Sequence, residues 1–202
     1  MAASVRLHWI PVGAGQHVVR GSTRVIENLD ARRHHRPQLT LYHAALEVQV
    51  DADRWTIEMA PAWGSPPTDH GVTITGPVAF RRLGASRLFR YEVRVWPEGR
   101  VPDIGYAVGE PVRIATDAAR VRRLLDAGSH VPGLTWGRDE LALGDMWNSN
   151  SVVAWLLASS GHDVVPIAPP GGGRAPGWAA GLELARRSAQ TEWSTPASSS
   201  IP

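Results

Sequence analysis

The feature that most constrains the fold is a regular alternation of apolar and polar side chains from Leu39 to Trp63. A period of two is typical of strands that bury one face. The tripeptide Asp51-Ala52-Asp53 separates two runs that are rich in Val, Ile, Trp and Thr. Because polar turn residues between two alternating runs favour a hairpin, we predict two antiparallel strands here.

The first strand of this hairpin has two distinct faces. Alternation places one set of side chains together, namely Tyr42, Ala44, Leu46 and Val48. The opposite face carries His43, Ala45, Glu47 and Gln49. The first set is apolar and is predicted to face the core, so His43 lies on the more polar side. An exposed strand histidine without function is the competing interpretation.

The remaining pattern predicts short strands in the first half of the chain and helices in the second. After the hairpin, a third strand is predicted at 71–74 and a fourth at 88–96, while residues 5–20 form two short strands around a Gly13-Ala14-Gly15 turn. Helices are predicted at 25–35, 116–127, 148–160 and from after Gly177 to 187. We therefore expect an α+β fold in which an antiparallel sheet of about four strands packs against helices. It forms one domain over residues 1–187, followed by a disordered tail over 188–202.

Composition excludes several classes of function. The chain has no cysteine, which excludes disulfides, thiolate zinc sites and thiol nucleophiles. All 21 basic residues are arginines, but the 19 acids interleave them and the net charge is only +2. We therefore predict that the partner is not a nucleic acid. The His34-His35 pair lacks a third ligand at suitable spacing, so we predict no metal and no cofactor.

The location of the protein is predicted from its apolar segments. No stretch approaches the roughly 20 apolar residues of a membrane span, and Arg6, His8 and Pro11 interrupt the apolar run at the amino terminus. A signal peptide would need an unbroken apolar region there. We predict a cytoplasmic protein without a membrane span.

A polar cluster, Asn148-Ser149-Asn150-Ser151, precedes a helical stripe of apolar residues. Asn and Ser side chains are preferred helix caps, and either Asn148 or Ser149 is suited to that role. A helix start also offers free N–H groups and the positive end of the helix dipole. The cluster is thus compatible with simple capping and with a binding or catalytic site.

Together, the His43 strand and the 145–161 segment resemble the circularly permuted papain-like superfamily, the branch related to NlpC-type peptidases that includes lecithin retinol acyltransferase. In that superfamily a strand histidine comes first, and the nucleophilic cysteine follows much later at a helix start, inside an Asn-Cys-Asn-type motif. Here Ser149 stands at the cysteine position. The resemblance covers mainly residues 39–63 and 145–161.

The resemblance implies a set of site residues. His43 would be the base, Glu58 would orient it, and Ser149 would attack a carbonyl whose oxyanion is held by N–H groups at the helix start. Three further residues would line the ligand site, namely Trp147, Asn148 and Asn150. Hairpin register decides the role of Glu58. A turn at Val50-Asp51 sets it opposite His43, and a turn at Ala52-Asp53 sets it opposite Glu47.

Serine at the cysteine position changes the expected activity. A thiol with a pKa near ~8.5 ionises readily, whereas a hydroxyl needs a base that acts during the attack with tight geometry. We therefore predict a non-catalytic or weakly active relative. It would bind a peptide, amide or acyl ligand in a groove between His43 and the helix start. The alternative is a serine hydrolase or acyltransferase that uses Ser149, His43 and Glu58.

Overall fold

A computed structural model describes residues 3–14, 27, 31–33, 35–62, 71–101, 103–114 and 117–194. Six antiparallel strands form one sheet in the order β4-β5-β3-β2-β1-β6. The strands are β1 (Ala3–Pro11), β2 (Tyr42–Val50), β3 (Asp53–Pro61), β4 (Val72–Pro77), β5 (Arg90–Pro97) and β6 (Val112–Ile114). Three α-helices follow, namely α1 (Ala118–Ala127), α2 (Ser149–Ser159) and α3 (Trp178–Ser194). Residues 31–33 are also helical, within the predicted helix at 25–35, and much of that helix lies outside the described residues.

The predicted α+β class is confirmed, but the sheet has six strands where about four were expected. One of them, β6, is only three residues long and pairs with the middle of β1. Three residues are too few to reveal a period of two, so such an edge strand is set by tertiary pairing. The His43 strand, β2, is central in the sheet, because it pairs with β1 on one side and β3 on the other.

The β2–β3 hairpin adopts neither of the two registers considered from the sequence. Val50 pairs with Asp53 and Leu46 with Ile57, so the turn residues are Asp51 and Ala52. Asp51 has φ 55°, in the left-handed region that aspartate tolerates and that tight hairpin turns require. As a consequence, Glu58 faces neither His43 nor Glu47 directly.

The sheet has a large core on one face and a small one on the other. The helices cover the first face, where the predicted core side of β2 is buried with the inner faces of α1 and α2. On the second face a separate cluster joins Ile10 and Ala45 to Val101, and Ile104 and Ala107 pack against it. His43 belongs to this second face, as the alternation predicted.

Helix α2 is the most enclosed helix of the described chain, since every residue from Ser149 to Leu157 is buried. It packs against α3 and against β2. Its start is therefore fixed against the centre of the sheet. None of the helices in the described residues is long and apolar enough to cross a membrane.

The carboxyl-terminal helix extends further than the sequence indicated. The disordered tail was predicted from residue 188, yet α3 continues to Ser194. Hydroxyls that suggested a flexible tail instead bond to the preceding helical turn, Ser188 Oγ to Leu184 O at 3.0 Å and Thr191 Oγ1 to Arg187 O at 3.1 Å. Residues 195–202 of the predicted tail lie outside the described residues.

Candidate functional site

The start of α2 is closed by a reciprocal cap. Asn148 is the N-cap, and its Oδ1 accepts hydrogen bonds from the backbone N–H of Asn150 at 2.9 Å and of Ser151 at 3.3 Å. Ser151 Oγ in turn accepts from the backbone N–H of Asn148 at 3.0 Å. This is a capping box, which satisfies donors that a helix start otherwise leaves open. Of the two predicted caps, Asn148 is therefore the one used.

Asn150 ties this helix start to the His43 strand. Its Oδ1 accepts from the backbone N–H of Ala44 at 2.8 Å, and its Nδ2 donates to the carbonyl of Tyr42 at 2.9 Å. These two backbone groups flank His43 in the sequence. The same Nδ2 also donates to Pro176 O at 2.8 Å. The Asn150 amide thus bridges β2 and the segment before α3.

The bridge is possible because β2 and β3 separate at this point. Their ladder ends at Leu46 and Ile57, so the backbone of residues 42 and 44 has no β3 partner in it. Buried N–H and C=O groups need hydrogen-bond partners. Asn150 supplies two of them, and Arg174 O accepts from Tyr42 N at 2.8 Å.

Ser149, the predicted counterpart of the nucleophile, has hydrogen-bond donors that no described residue uses. It is the first residue of α2 and is 8% exposed. Within the described part of the chain, neither its hydroxyl nor its backbone N–H has a hydrogen-bond partner. The N–H groups of Asn150 and Ser151 are occupied by Asn148, so only the Ser149 N–H remains for an oxyanion.

His43 is partly buried on the second face of the sheet, whose small core includes Val101, Ile104 and Ala107. Burial lowers the pKa of its imidazole, because the charged form is poorly solvated, and the carboxylate of Asp103 opposes this shift. The ring is therefore mainly neutral at neutral pH. Across the described residues, no hydrogen bond joins the His43 ring to the Ser149 hydroxyl.

Glu58, the predicted orienter of His43, is held by an arginine. In the β3–β5 ladder it lies opposite Arg94, whose Nη1 donates to Glu58 Oε1 at 3.1 Å. The acid whose charge acts on His43 is Asp103. Nothing local in the sequence marks Asp103, because its position depends on the packing of a loop onto the sheet.

The other predicted ligand residues have structural roles. Trp147 is 1% exposed and lies in the main core, so little of its surface is open to a ligand. The amide of Asn148 caps α2 and donates to Pro176 O at 2.8 Å, and that of Asn150 bridges to β2. Ser149 and His43 are left without such a role. The Trp147 Nε1–H also lacks a hydrogen-bond partner, but it is buried in the core.

The chain matches no protein-family model, no curated protein and no solved structure. Among the residues that the structure describes, no group of three or more His, Asp or Glu side chains is arranged to hold a metal ion. The papain-like resemblance thus stays a prediction, and function has to be argued from the site itself.

The effect of Asp103 on His43 gives a direct test of the site. We expect the His43 ring to titrate below its ordinary pKa of about 6.5, and Asp103→Asn to lower that pKa further because a favourable negative charge is lost. Because the pKa of His43 is lower in the folded protein than in the unfolded chain, protonation favours the unfolded chain. The stabilisation present above about pH 6.5 is therefore lost as the pH falls through the pKa of the folded state.

The measurement is an NMR titration of the histidine rings, assigned with His43→Gln. Asp51→Asn is the matched control, because Asp51 follows β2 at the end far from His43. It removes the same charge and should leave the His43 pKa unchanged. If Asp103→Asn also leaves the pKa unchanged, Asp103 does not belong to this site.

Proposed function

We propose that the chain binds a ligand with an exposed carbonyl, a peptide, amide or acyl group, between Ser149 and His43, and does not cleave it. The observation that carries the proposal is the Asn150 bridge, which fixes the start of α2 to the backbone on both sides of His43. The Ser149 hydroxyl and N–H are free donors at the positive end of a helix. Such donors suit a carbonyl oxygen.

Binding is favoured over hydrolysis by the hydrogen bonds around Ser149. A serine nucleophile needs a base within hydrogen-bond reach, and the described His43 ring does not bond to the Ser149 hydroxyl. Oxyanion stabilisation depends on preorganised donors, and here the neighbouring N–H groups of α2 are occupied by Asn148. Glu58 is paired with Arg94.

A serine hydrolase is the second candidate, and one observation favours it. The pKa of His43 is lowered by burial, so its imidazole is in the neutral form that a general base requires. The His43 ring belongs to the second face of the sheet and α2 packs on the first, so a nucleophile and base pair would form only if the ring reached the Ser149 hydroxyl. The two candidates therefore share a site and differ in the Ser149–His43 contact.

The site is tested by Ser149→Cys, which introduces the sole thiol of the chain. The helix dipole and proton transfer to a neighbouring neutral imidazole both favour thiolate. We expect the thiol pKa to lie below ~8.5, and to rise towards that value when His43→Ala is added. The rate of alkylation by iodoacetamide, measured against pH, gives both values.

The matched control is Ser159→Cys, an exposed position in the last turn of the same helix. There the dipole is reversed, so its thiol should titrate at or above ~8.5. A Ser149→Cys thiol with the same pKa as this control, unaffected by His43, would mean that Ser149 is only a helix residue.

A fluorophosphonate probe separates binding from hydrolysis. We expect no labelling of the natural chain, because the Ser149 hydroxyl lacks a hydrogen-bonded base. Labelling that both Ser149→Ala and His43→Ala abolish would favour the hydrolase instead.

A further inference from the structure

Residues 80–90, which we call the basic apolar segment, connect β4 to β5 through two short 3-10 helices, Arg81–Ala85 and Arg87–Phe89. No residue of these helices is buried. The large apolar side chains of the segment are exposed, Phe80 at 60%, Leu83 at 37%, Leu88 at 66% and Phe89 at 41%. Four such side chains within ten positions differ from the scattered single residues of an ordinary surface.

The same segment concentrates positive charge. It contains four arginines, Arg81, Arg82, Arg87 and Arg90, and the chain has no acid from residue 77 to residue 91. The guanidinium of Arg138 lies over the Phe80 ring at 5.7 Å and adds a fifth cation.

Two acids lie beside this surface and reduce its charge without reversing it. Glu140 pairs with Arg81 at 3.0 Å. The Asp139 carboxylate accepts hydrogen bonds from the backbone N–H of Leu143 at 2.9 Å and of Gly144 at 2.8 Å. The guanidinium groups of Arg81, Arg82, Arg90 and Arg138 outnumber the two carboxylates found beside them among the described residues, which leaves a positive excess next to exposed apolar groups.

The segment is anchored to the body of the protein. Arg90 donates to the carbonyls of Gly84 and Ala85. Arg87 Nε donates to Ala62 O at 3.2 Å. Phe80 and Leu88 are consequently presented on a fixed turn, which lowers the entropic cost of placing them in a partner.

We propose that the basic apolar segment docks on an anionic lipid bilayer. Its protruding Phe80 and Leu88 would enter the interfacial region, while the arginines bind lipid phosphates. A second copy of this chain is disfavoured, because a two-fold interface would oppose the same arginines. A protein partner would need cavities matched to these protrusions, whereas a lipid interface accepts them without such matching.

The test is sedimentation of the full chain with vesicles. We expect binding to vesicles of phosphatidylcholine and phosphatidylglycerol in equal parts, little binding to phosphatidylcholine alone, and weakening by salt. Leu88→Ser should weaken binding roughly tenfold by removing inserted apolar surface. Arg82→Gln should weaken it roughly fivefold. Both side chains are exposed, and an unchanged melting temperature confirms that the variants fold.

Matched controls lie elsewhere on the surface. Val165→Ser removes an apolar group that is 90% exposed, and Arg113→Gln removes an exposed arginine of β6. Both controls should bind like the natural chain. Equal losses in control and segment variants would overturn the proposal, as would binding that is equal on neutral vesicles or absent from anionic vesicles at low salt. Capture by polyglutamate with no vesicle binding would assign the segment to an acidic protein partner instead.

Discussion

Replacing Arg94 by methionine is expected to lower the free energy of unfolding by about 3–5 kcal/mol at neutral pH. Arg94 is 4% exposed and lies between two carboxylates on the second face of the sheet. Its Nη1 donates to Glu58 Oε1 at 3.1 Å, and its Nη2 donates to Glu92 Oε2 at 2.9 Å. Methionine preserves much of the volume but leaves two carboxylates close together with little solvent to screen them.

The control for this prediction is Arg120→Met, which breaks a solvent-exposed pair with Asp117 at 3.4 Å. Exposed pairs contribute at most about 1 kcal/mol, so urea unfolding should distinguish the two arginines clearly. Adding Glu58→Gln to Arg94→Met should restore part of the loss, because one of the two buried negative charges is removed. Equal losses for Arg94 and Arg120 would contradict the argument.

The features that the sequence predicted correctly depend on residues close to one another along the chain. Alternation in β2 separated the core side chains from His43, and the structure keeps that division. The two candidate caps, Asn148 and Ser149, predicted the start of α2 to within one residue, because capping bonds join residues two or three positions apart. The chemistry of such patterns is contained within a few residues, so it can be deduced without a fold.

What the sequence did not predict is of two kinds, a turn conformation that alternation leaves open and contacts between distant residues. The hairpin register followed from the left-handed conformation of Asp51, which mere alternation does not determine. Glu58 became the partner of Arg94 because β3 lies beside β5 in the sheet. The charge of Asp103 acts on the pKa of His43 because a loop packs onto the sheet, and no sequence pattern near Asp103 indicates that packing.

The amide of Asn150 illustrates the same limit inside the candidate site. An asparagine at a helix start is equally suited to hold a ligand or to hold its own chain. Its partners, Tyr42 and Ala44, lie in a strand from the other half of the sequence. In the structure the Asn150 amide is used to hold the backbone of β2. The hydrogen-bond donors that remain for a ligand are those of Ser149.

Asn150→Ala is therefore expected to lower the free energy of unfolding by about 2–5 kcal/mol. The change leaves the N–H of Ala44 and the carbonyl of Tyr42 buried without the partners they have at 2.8 Å and 2.9 Å. Each unsatisfied buried group costs about 1–3 kcal/mol. Asn150→Asp should be no better, because it would direct a carboxylate oxygen at the carbonyls of Tyr42 and Pro176, where the Nδ2 now donates.

The neighbouring Ser149→Ala is the matched control, since the described Ser149 hydroxyl makes no hydrogen bond and its loss should cost less than about 1 kcal/mol. Urea unfolding of the two variants measures the difference. Asn150→Ala also tests the proposed site, in which the Asn150 bridge would hold Ser149 near His43. In a folded Ser149→Cys/Asn150→Ala chain, the thiol pKa should therefore rise towards ~8.5 and lose its dependence on His43. A thiol pKa that stays low without the Asn150 amide would mean that the bridge stabilises the fold but does not position the site.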